Sequence, residues 1–142
     1  MPLSEAERQS FLAEPHIGAL AVTRPEPGRA PLAVPIWYGY EPGGELWITT
    51  GRESAKALAL AHAGRFSLLV DRVEPTVRYV SVEGTVVSTE PTTEKESRDM
   101  AARYLPPEAV QPFLDFAARE HGAQLTIRMR PDHWLSADLG GL

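Results

Sequence analysis

The sharpest patterning in this chain has the two-residue period of half-buried strands. From Gln124 to Arg130, Leu125, Ile127 and Met129 alternate with Thr126, Arg128 and Arg130. From Val77 to Ser88, Val80, Val82 and Val86 fall on one face, opposite Tyr79, Ser81, Glu83 and Thr85. Shorter apolar runs predict further strands at Ile17 to Thr23, Leu32 to Tyr40, Glu45 to Thr50 and Phe66 to Val70. Turn-forming segments separate them, notably Arg24 to Pro31 and Glu41-Pro-Gly-Gly44. Gly84, inside the long Val77 strand, predicts a bulge or a close backbone approach, and Glu83 beside it is placed to pair with an arginine across the sheet.

Helices are announced by their ends. Ser4-Glu-Ala-Glu7 and Thr93-Glu-Lys-Glu96 are capping boxes, the first helix stopped by Pro15 and the second ending before Pro106. Ser54 to Ala63 is rich in alanine and leucine and closes at Gly64, a helix stop. Pro112 suits the first turn of a fourth helix reaching about Glu120. Six strands in mainly antiparallel order cannot leave long edges open, and closure into a small barrel solves this. The expected architecture is α+β: a six-stranded antiparallel split β-barrel with peripheral helices, in a single domain spanning residues 1–142.

Composition narrows the chemistry. The chain has 142 residues and a formal net charge of −5, which disfavours a broad nucleic-acid or acidic-membrane surface. It contains no cysteine, which removes disulfides, thiolate catalysis and cysteine-held metal and fits a reducing, cytoplasmic setting. No apolar run approaches the ~20 residues of a membrane span. The histidines show no metal-ligand spacing, and no hydrolase elbow, Walker loop or dinucleotide fingerprint is present.

What remains is Pro31 to Lys56. Its Trp37, Tyr38, Tyr40 and Trp47 put aromatic side chains on both faces of two neighbouring strands, as a ligand slot or an oligomer interface would require. The chain then enters a helix with Ser54 at its mouth and Lys56 in its first turn, with Arg52 just before. Taken alone, Ser54 reads as a cap and Lys56 as a solvated lysine. Yet a cation in the first turn opposes the helix dipole, at a cost of a few tenths of a kcal/mol unless an anion is near. Helix N–H groups, a hydroxyl and an ammonium together suit phosphate, and aromatic strands beside them suit a planar ring. Phosphate at one end and a ring at the other describes flavin mononucleotide.

These pieces occur in the order Pro35-Ile-Trp-Tyr, Glu45-Leu-Trp-Ile-Thr-Thr, Ser54-Ala-Lys-Ala-Leu, Val80-Ser-Val-Glu-Gly84 and Arg130-Pro-Asp-His-Trp134. In that order and spacing the chain resembles the pyridoxamine 5′-phosphate oxidase-like split β-barrel family from about Ser4 to Asp138. It looks nearest to the branch of flavin- or deazaflavin-dependent oxidoreductases. The resemblance implies a homodimer with the cofactor in a groove at the subunit interface. Pro35, Ile36, Trp37 and Tyr38 would flank the ring, Thr49 and Thr50 the ribityl-phosphate arm, and Ser54 and Lys56 the phosphate. Tyr79 would touch the cofactor across the dimer. Where the oxidase has an arginine before the phosphate lysine, this chain has Ala55, leaving Arg52 or a partner arginine to substitute. The oxidase's C-terminal arginine-and-histidine substrate motif is missing, which argues against vitamin B6 phosphate as substrate. FMN is the expected cofactor and the deazaflavin coenzyme F-420 the alternative, with a small organic molecule as hydride partner. Non-catalytic flavin binding, or a structural dimer built on the aromatic strands, are the competing readings.

Overall fold

The alternating stretches become the strands of one curled sheet. In the computed structural model, which describes residues 1–140, the order is α1 (Glu5–Ala13), β1 (Gly18–Val22), β2 (Leu32–Ile36), β3 (Leu46–Gly51), α2 (Ala55–Ala63), β4 (Arg65–Arg72), β5 (Val77–Pro91), α3 (Glu94–Tyr104), α4 (Pro107–Glu120) and β6 (Gln124–Gly140). The strands lie in the sheet order β2-β1-β4-β5-β6-β3, and every neighbouring pair is antiparallel. This is an α+β fold, a six-stranded antiparallel split β-barrel with four helices around it.

Two long strands make the curl possible. β5 and β6 pair along almost their whole lengths, with register shifts at Val77/Arg78, Glu83/Gly84 and Val86/Ser88. Bulges bend a strand and increase its twist. Gly84 sits at the middle one, where a Cβ would lie 1.8 Å from the Arg130 carbonyl oxygen, so the close approach expected there is present. The edge strands β2 and β3 are brought together by one bridge just past β2. The Gly39 N–H donates to the Trp47 carbonyl at 2.8 Å, and the Trp47 N–H returns to Gly39 at 3.0 Å. A Cβ on Gly39 would overlap the Trp47 indole at 2.0 Å, so this seam depends on glycine.

Inside the half-barrel, Leu20, Leu46, Ile48, Leu68, Val70 and Met129 are fully buried, with Phe11 and Leu12 of α1 and Leu60 of α2 closing over them. Both capping boxes form, with Ser4 and Thr93 each accepting from the N–H three residues on and Glu7 and Glu96 returning the bond. Ser54 caps α2, and Gly64, in the left-handed region at φ 67°, ends it. No helix among the described residues is long and apolar enough to cross a membrane.

Four expectations need correction. β2 stops at Ile36 instead of reaching Tyr40; two residues on, the Tyr38 N–H donates to the Tyr104 hydroxyl of α3 and not to a strand. β6 does not stop at Arg130 but runs to Gly140; Pro131 falls at the register shift opposite Gly84, where a missing donor does little harm. α4 begins at Pro107, which takes the first-turn place that suits proline, so Pro112 lies inside the helix. Glu83 is exposed between Ser67 and His133 and makes no ion pair with an arginine among the described residues.

Candidate functional site

The residues from Pro35 to Lys56 form one side of a cleft of about 980 Å³. That is at the upper end of the ~300–1,000 Å³ usual for small-molecule sites. β2 and the residue after it supply Pro35, Ile36 and Trp37; β3 and the turn that follows supply Thr49, Thr50, Gly51, Ser54 and Lys56. The opposite side is built by α3 and α4, with Met100, Ala101, Phe113, Leu114 and Ala117 facing in. Seven of the expected site residues therefore converge: Pro35, Ile36, Trp37, Thr49, Thr50, Ser54 and Lys56.

The polar end lies at the mouth of α2. The Ser54 side chain accepts the Ala57 N–H at 3.1 Å, and the Ser54 carbonyl accepts the Leu58 N–H at 3.1 Å. The N–H groups of Ala55 and Lys56 have no acceptor among the described residues. Thr50, nearly fully buried, places its hydroxyl 2.7 Å from Ser54 Oγ. If Thr50 donates that bond, Ser54 keeps its own proton for a third partner. Lys56 is half-buried and forms no ion pair among the described residues. Open space surrounds Gly51. Two free N–H groups, an uncommitted ammonium and an available hydroxyl form a donor set that fits a phosphate.

Arg52 does not join it. It is exposed on the turn after β3, outside the cleft lining, with its N–H on the Ala123 carbonyl at 3.4 Å. The Ala55 side chain is also exposed and outside the lining, so Ala55 brings only its backbone N–H to the mouth of α2.

Trp37 and Tyr38 have opposite fates. The Trp37 ring stacks on Tyr104 with centroids 4.7 Å apart and planes 15° apart, and touches Phe113 at 5.5 Å. The Tyr104 hydroxyl donates to the His16 carbonyl at 2.7 Å and accepts the Tyr38 N–H at 3.1 Å, which fixes the stack. The Tyr38 side chain turns the other way, into the core. It is fully buried and donates its hydroxyl to the Leu12 carbonyl at 2.6 Å. Burial pushes its pKa well above the ordinary tyrosine value. The Tyr38 side chain therefore does not line the cleft, contrary to what the family resemblance implied, while its place on the face opposite Trp37 agrees with strand alternation. Tyr79 lies on the outer face of β5, opposite Asp71 and Ala137, and does not line the cleft.

The sequence reading missed the α3–α4 side altogether. Its signal was there: α4 is amphipathic, yet only Val110 of its apolar face is buried. α3 is the post that carries this side. Glu96, in its first turn, accepts from Arg128 at 2.7 Å and from the Thr126 hydroxyl at 3.0 Å, both on β6. Burial alone would raise the Glu96 carboxyl, but the Thr93 N–H, Thr126 and Arg128 together hold it below the usual range.

Comparison with known proteins agrees with this architecture. The family model described as pyridoxamine 5′-phosphate oxidase matches residues 4–137. A conserved hypothetical protein from Mycobacterium tuberculosis is 27% identical with a TM-score of 0.73, covering 96% of this chain and 85% of its own. An F420 reductase superposes with a TM-score of 0.70 at 22% identity, covering 89% of this chain and 94% of its own. A FAD-binding protein from Mesorhizobium loti gives 0.63 at 19% identity, covering 97% and 96%. At those last two identities the likeness is one of fold. No curated protein sequence matches significantly. With the family model spanning nearly all of the described residues, the chain belongs to the pyridoxamine 5′-phosphate oxidase-like family of split barrels.

Proposed function

We propose that this protein is an oxidoreductase that binds a flavin-type cofactor in the cleft, with FMN as the first choice, and passes hydride to or from a small organic substrate. The observation that carries the reading is the donor set at the mouth of α2. Lys56, the Ala55 and Lys56 N–H groups and the Ser54 hydroxyl would hold the phosphate, and Thr49 and Thr50 would flank the arm that leads to the ring. Pro35, Ile36 and Trp37 would border the ring itself. When bound, the ring supplies the hydride chemistry; the protein supplies position, electrostatics and exclusion of water.

The deazaflavin coenzyme F-420 is the second reading. It is favoured by the corner's having Lys56 as its one uncommitted cation among the described residues, which suits a singly charged phosphodiester better than a doubly charged monoester. One of the structural neighbours is an F420 reductase and another binds FAD, which supports the cofactor class without deciding between its members.

We further propose a homodimer. The outer sheet face presents in-register small and apolar residues across four strands, Ala19, Leu69, Ser81 and Leu135. Leu69 is 42% and Leu135 65% exposed, an apolar patch that a second copy would cover and that carries Tyr79 toward it. Native mass spectrometry of the purified protein, titrated with FMN and with the deazaflavin, reads both claims. The wild type should bind one of them as a dimer, and Lys56→Ala should weaken that binding about tenfold, the worth of one charge-assisted hydrogen bond. Unchanged binding in Lys56→Ala, or no binding of either by the wild type, would overturn the cofactor reading.

A further inference from the structure

Three strand ends meet at the polar end of the cleft. β6 starts between β3 and β5: Gly51 pairs with Gln124, and the Thr92 N–H, just past β5, donates to the Gln124 carbonyl at 2.9 Å. α2 follows β3 and α3 follows β5, so both helices begin at this corner, from places two strand spacings, about 10 Å, apart. Lys56 stands in the first turn of one and Glu94 in the first turn of the other, and both line the cleft. Like Lys56, Glu94 is in no ion pair among the described residues. Two further titratable side chains line the cleft. Arg98, one turn further along α3, keeps its charge but gives its guanidinium to Gln111 Oε1 of α4 at 2.7 Å. His121, the C-terminal cap of α4, is charged only when protonated.

From this we infer that Glu94 is a specificity-determining residue, which makes the corner favour a singly charged phosphate diester over a doubly charged monoester. The inference rests on the cofactor reading above, in which the mouth of α2 holds the phosphate. The donors there do not tell the two esters apart, since N–H groups, a hydroxyl and an ammonium meet oxygens that both esters offer. What differs is one charge, and a charge acts on groups it does not touch. A carboxylate about 10 Å from the phosphate lies within about one Debye length at 0.1 M salt, and it repels a dianion twice as strongly as a monoanion. Lys56 and Glu94 are the fixed charges in the two first turns, and they are of opposite sign. The corner therefore draws in an anion through its donors while gaining little from a second negative charge. An acidic first-turn residue also favours its own helix, so the role of Glu94 is read from two ligands compared on one variant and not from stability.

The test compares two ligands that share one ring. At about pH 8 the phosphate of FMN is a dianion, whereas riboflavin 4′,5′-cyclic phosphate is a diester with a single charge. Each is titrated into the full chain, wild type and Glu94→Gln, at low salt, and followed by quenching of flavin fluorescence. Removing the carboxylate should tighten FMN about tenfold and the cyclic diester about threefold, a like factor for each ligand charge. Glu94→Lys should widen that gap, and salt at about 0.5 M should narrow it. A residue that only held α3 in place would shift both ligands alike, with no dependence on salt. Equal tightening of the two flavins by Glu94→Gln, or tightening of neither, would overturn the inference and leave the cofactor reading standing. If neither flavin binds, titration with the deazaflavin decides the cofactor reading. Inorganic phosphate against dimethyl phosphate, followed through the amide shifts of Ala55 and Lys56, then decides this one. A ratio moved toward phosphate by Glu94→Gln upholds it; an unmoved ratio, or amides silent to phosphate in both proteins, sinks it.

Discussion

The two sides of the cleft are held by different physics. On the floor, α2 buries Ala57, Ala59 and Leu60 in the barrel core, and β3 is paired to β6 over its whole length. On the roof, α4 reaches the rest of the protein mainly through α3 and buries a single residue. The polar corner therefore sits on a stiff scaffold, and the apolar side of the cleft hangs from a hairpin. A phosphate site gains from stiffness, since fixed donors need no reorganisation to meet a charge.

The largest expected effect separates floor from roof directly. Leu60 is 1% exposed, so Leu60→Ala should destabilise the fold by about 2–5 kcal/mol in urea or thermal unfolding. Phe113 is only half-covered, and Phe113→Ala should cost about 1 kcal/mol, although the deleted group is larger. Equal losses would mean that α4 is as much part of the core as α2.

Much of the floor could be read in the sequence, and the reason is local. Ser54, Gly64 and the Ser4–Glu7 capping box announce their helices through bonds that span three or four residues, and the alternation in β5 and β6 states which face is buried. Gly84 declared a close approach because few other reasons place glycine in a strand. The roof was hidden for the opposite reason. Helical periodicity shows that Phe113, Leu114 and Ala117 share a face of α4, but not what that face meets. Tyr38 failed in a related way. Alternation sets it on the face opposite Trp37, but only long-range contacts, the Trp37 ring on Tyr104 and the Tyr38 hydroxyl on the Leu12 carbonyl, decide which face meets the cleft and which the core.

Tyr104 is the strut between the two sides, and its removal should have an intermediate effect. Tyr104→Phe keeps the ring against Trp37 but leaves the Tyr38 N–H and the His16 carbonyl without their partner. A part-buried N–H left unpaired costs about 1–3 kcal/mol, so the unfolding midpoint should fall accordingly. Hydrogen exchange offers the sharper reading. If the strut matters, the amides of Trp37 to Gly39 should exchange faster in the variant while those of α2 stay protected. Uniform loosening across both would mean that the hydroxyl supports the whole fold and not the junction.

The smallest expected effect is the order in which acid loosens the molecule. Glu96 roots α3, and through it the roof, on Thr126 and Arg128 of β6. Its folded pKa is lowered, so its contribution is complete above the unfolded glutamate value near ~4.3 and is lost as pH falls through the lower folded one. Asp138 ties the far end of the barrel. The Thr76 hydroxyl, the Gly140 N–H and Arg78 draw its pKa down to about 2, against the burial that would raise it, so its contribution persists further into acid before it too is lost. Lowering pH from 5 toward 2 should therefore raise hydrogen exchange in α3 and α4 first, with the pairing of β5 to β6 near Asp138 following. Glu96→Gln should flatten the first step and leave the second. If the Asp138 end opens before the roof, or both open together, the hairpin does not depend on that carboxylate, and its looseness must come from α4's thin packing alone.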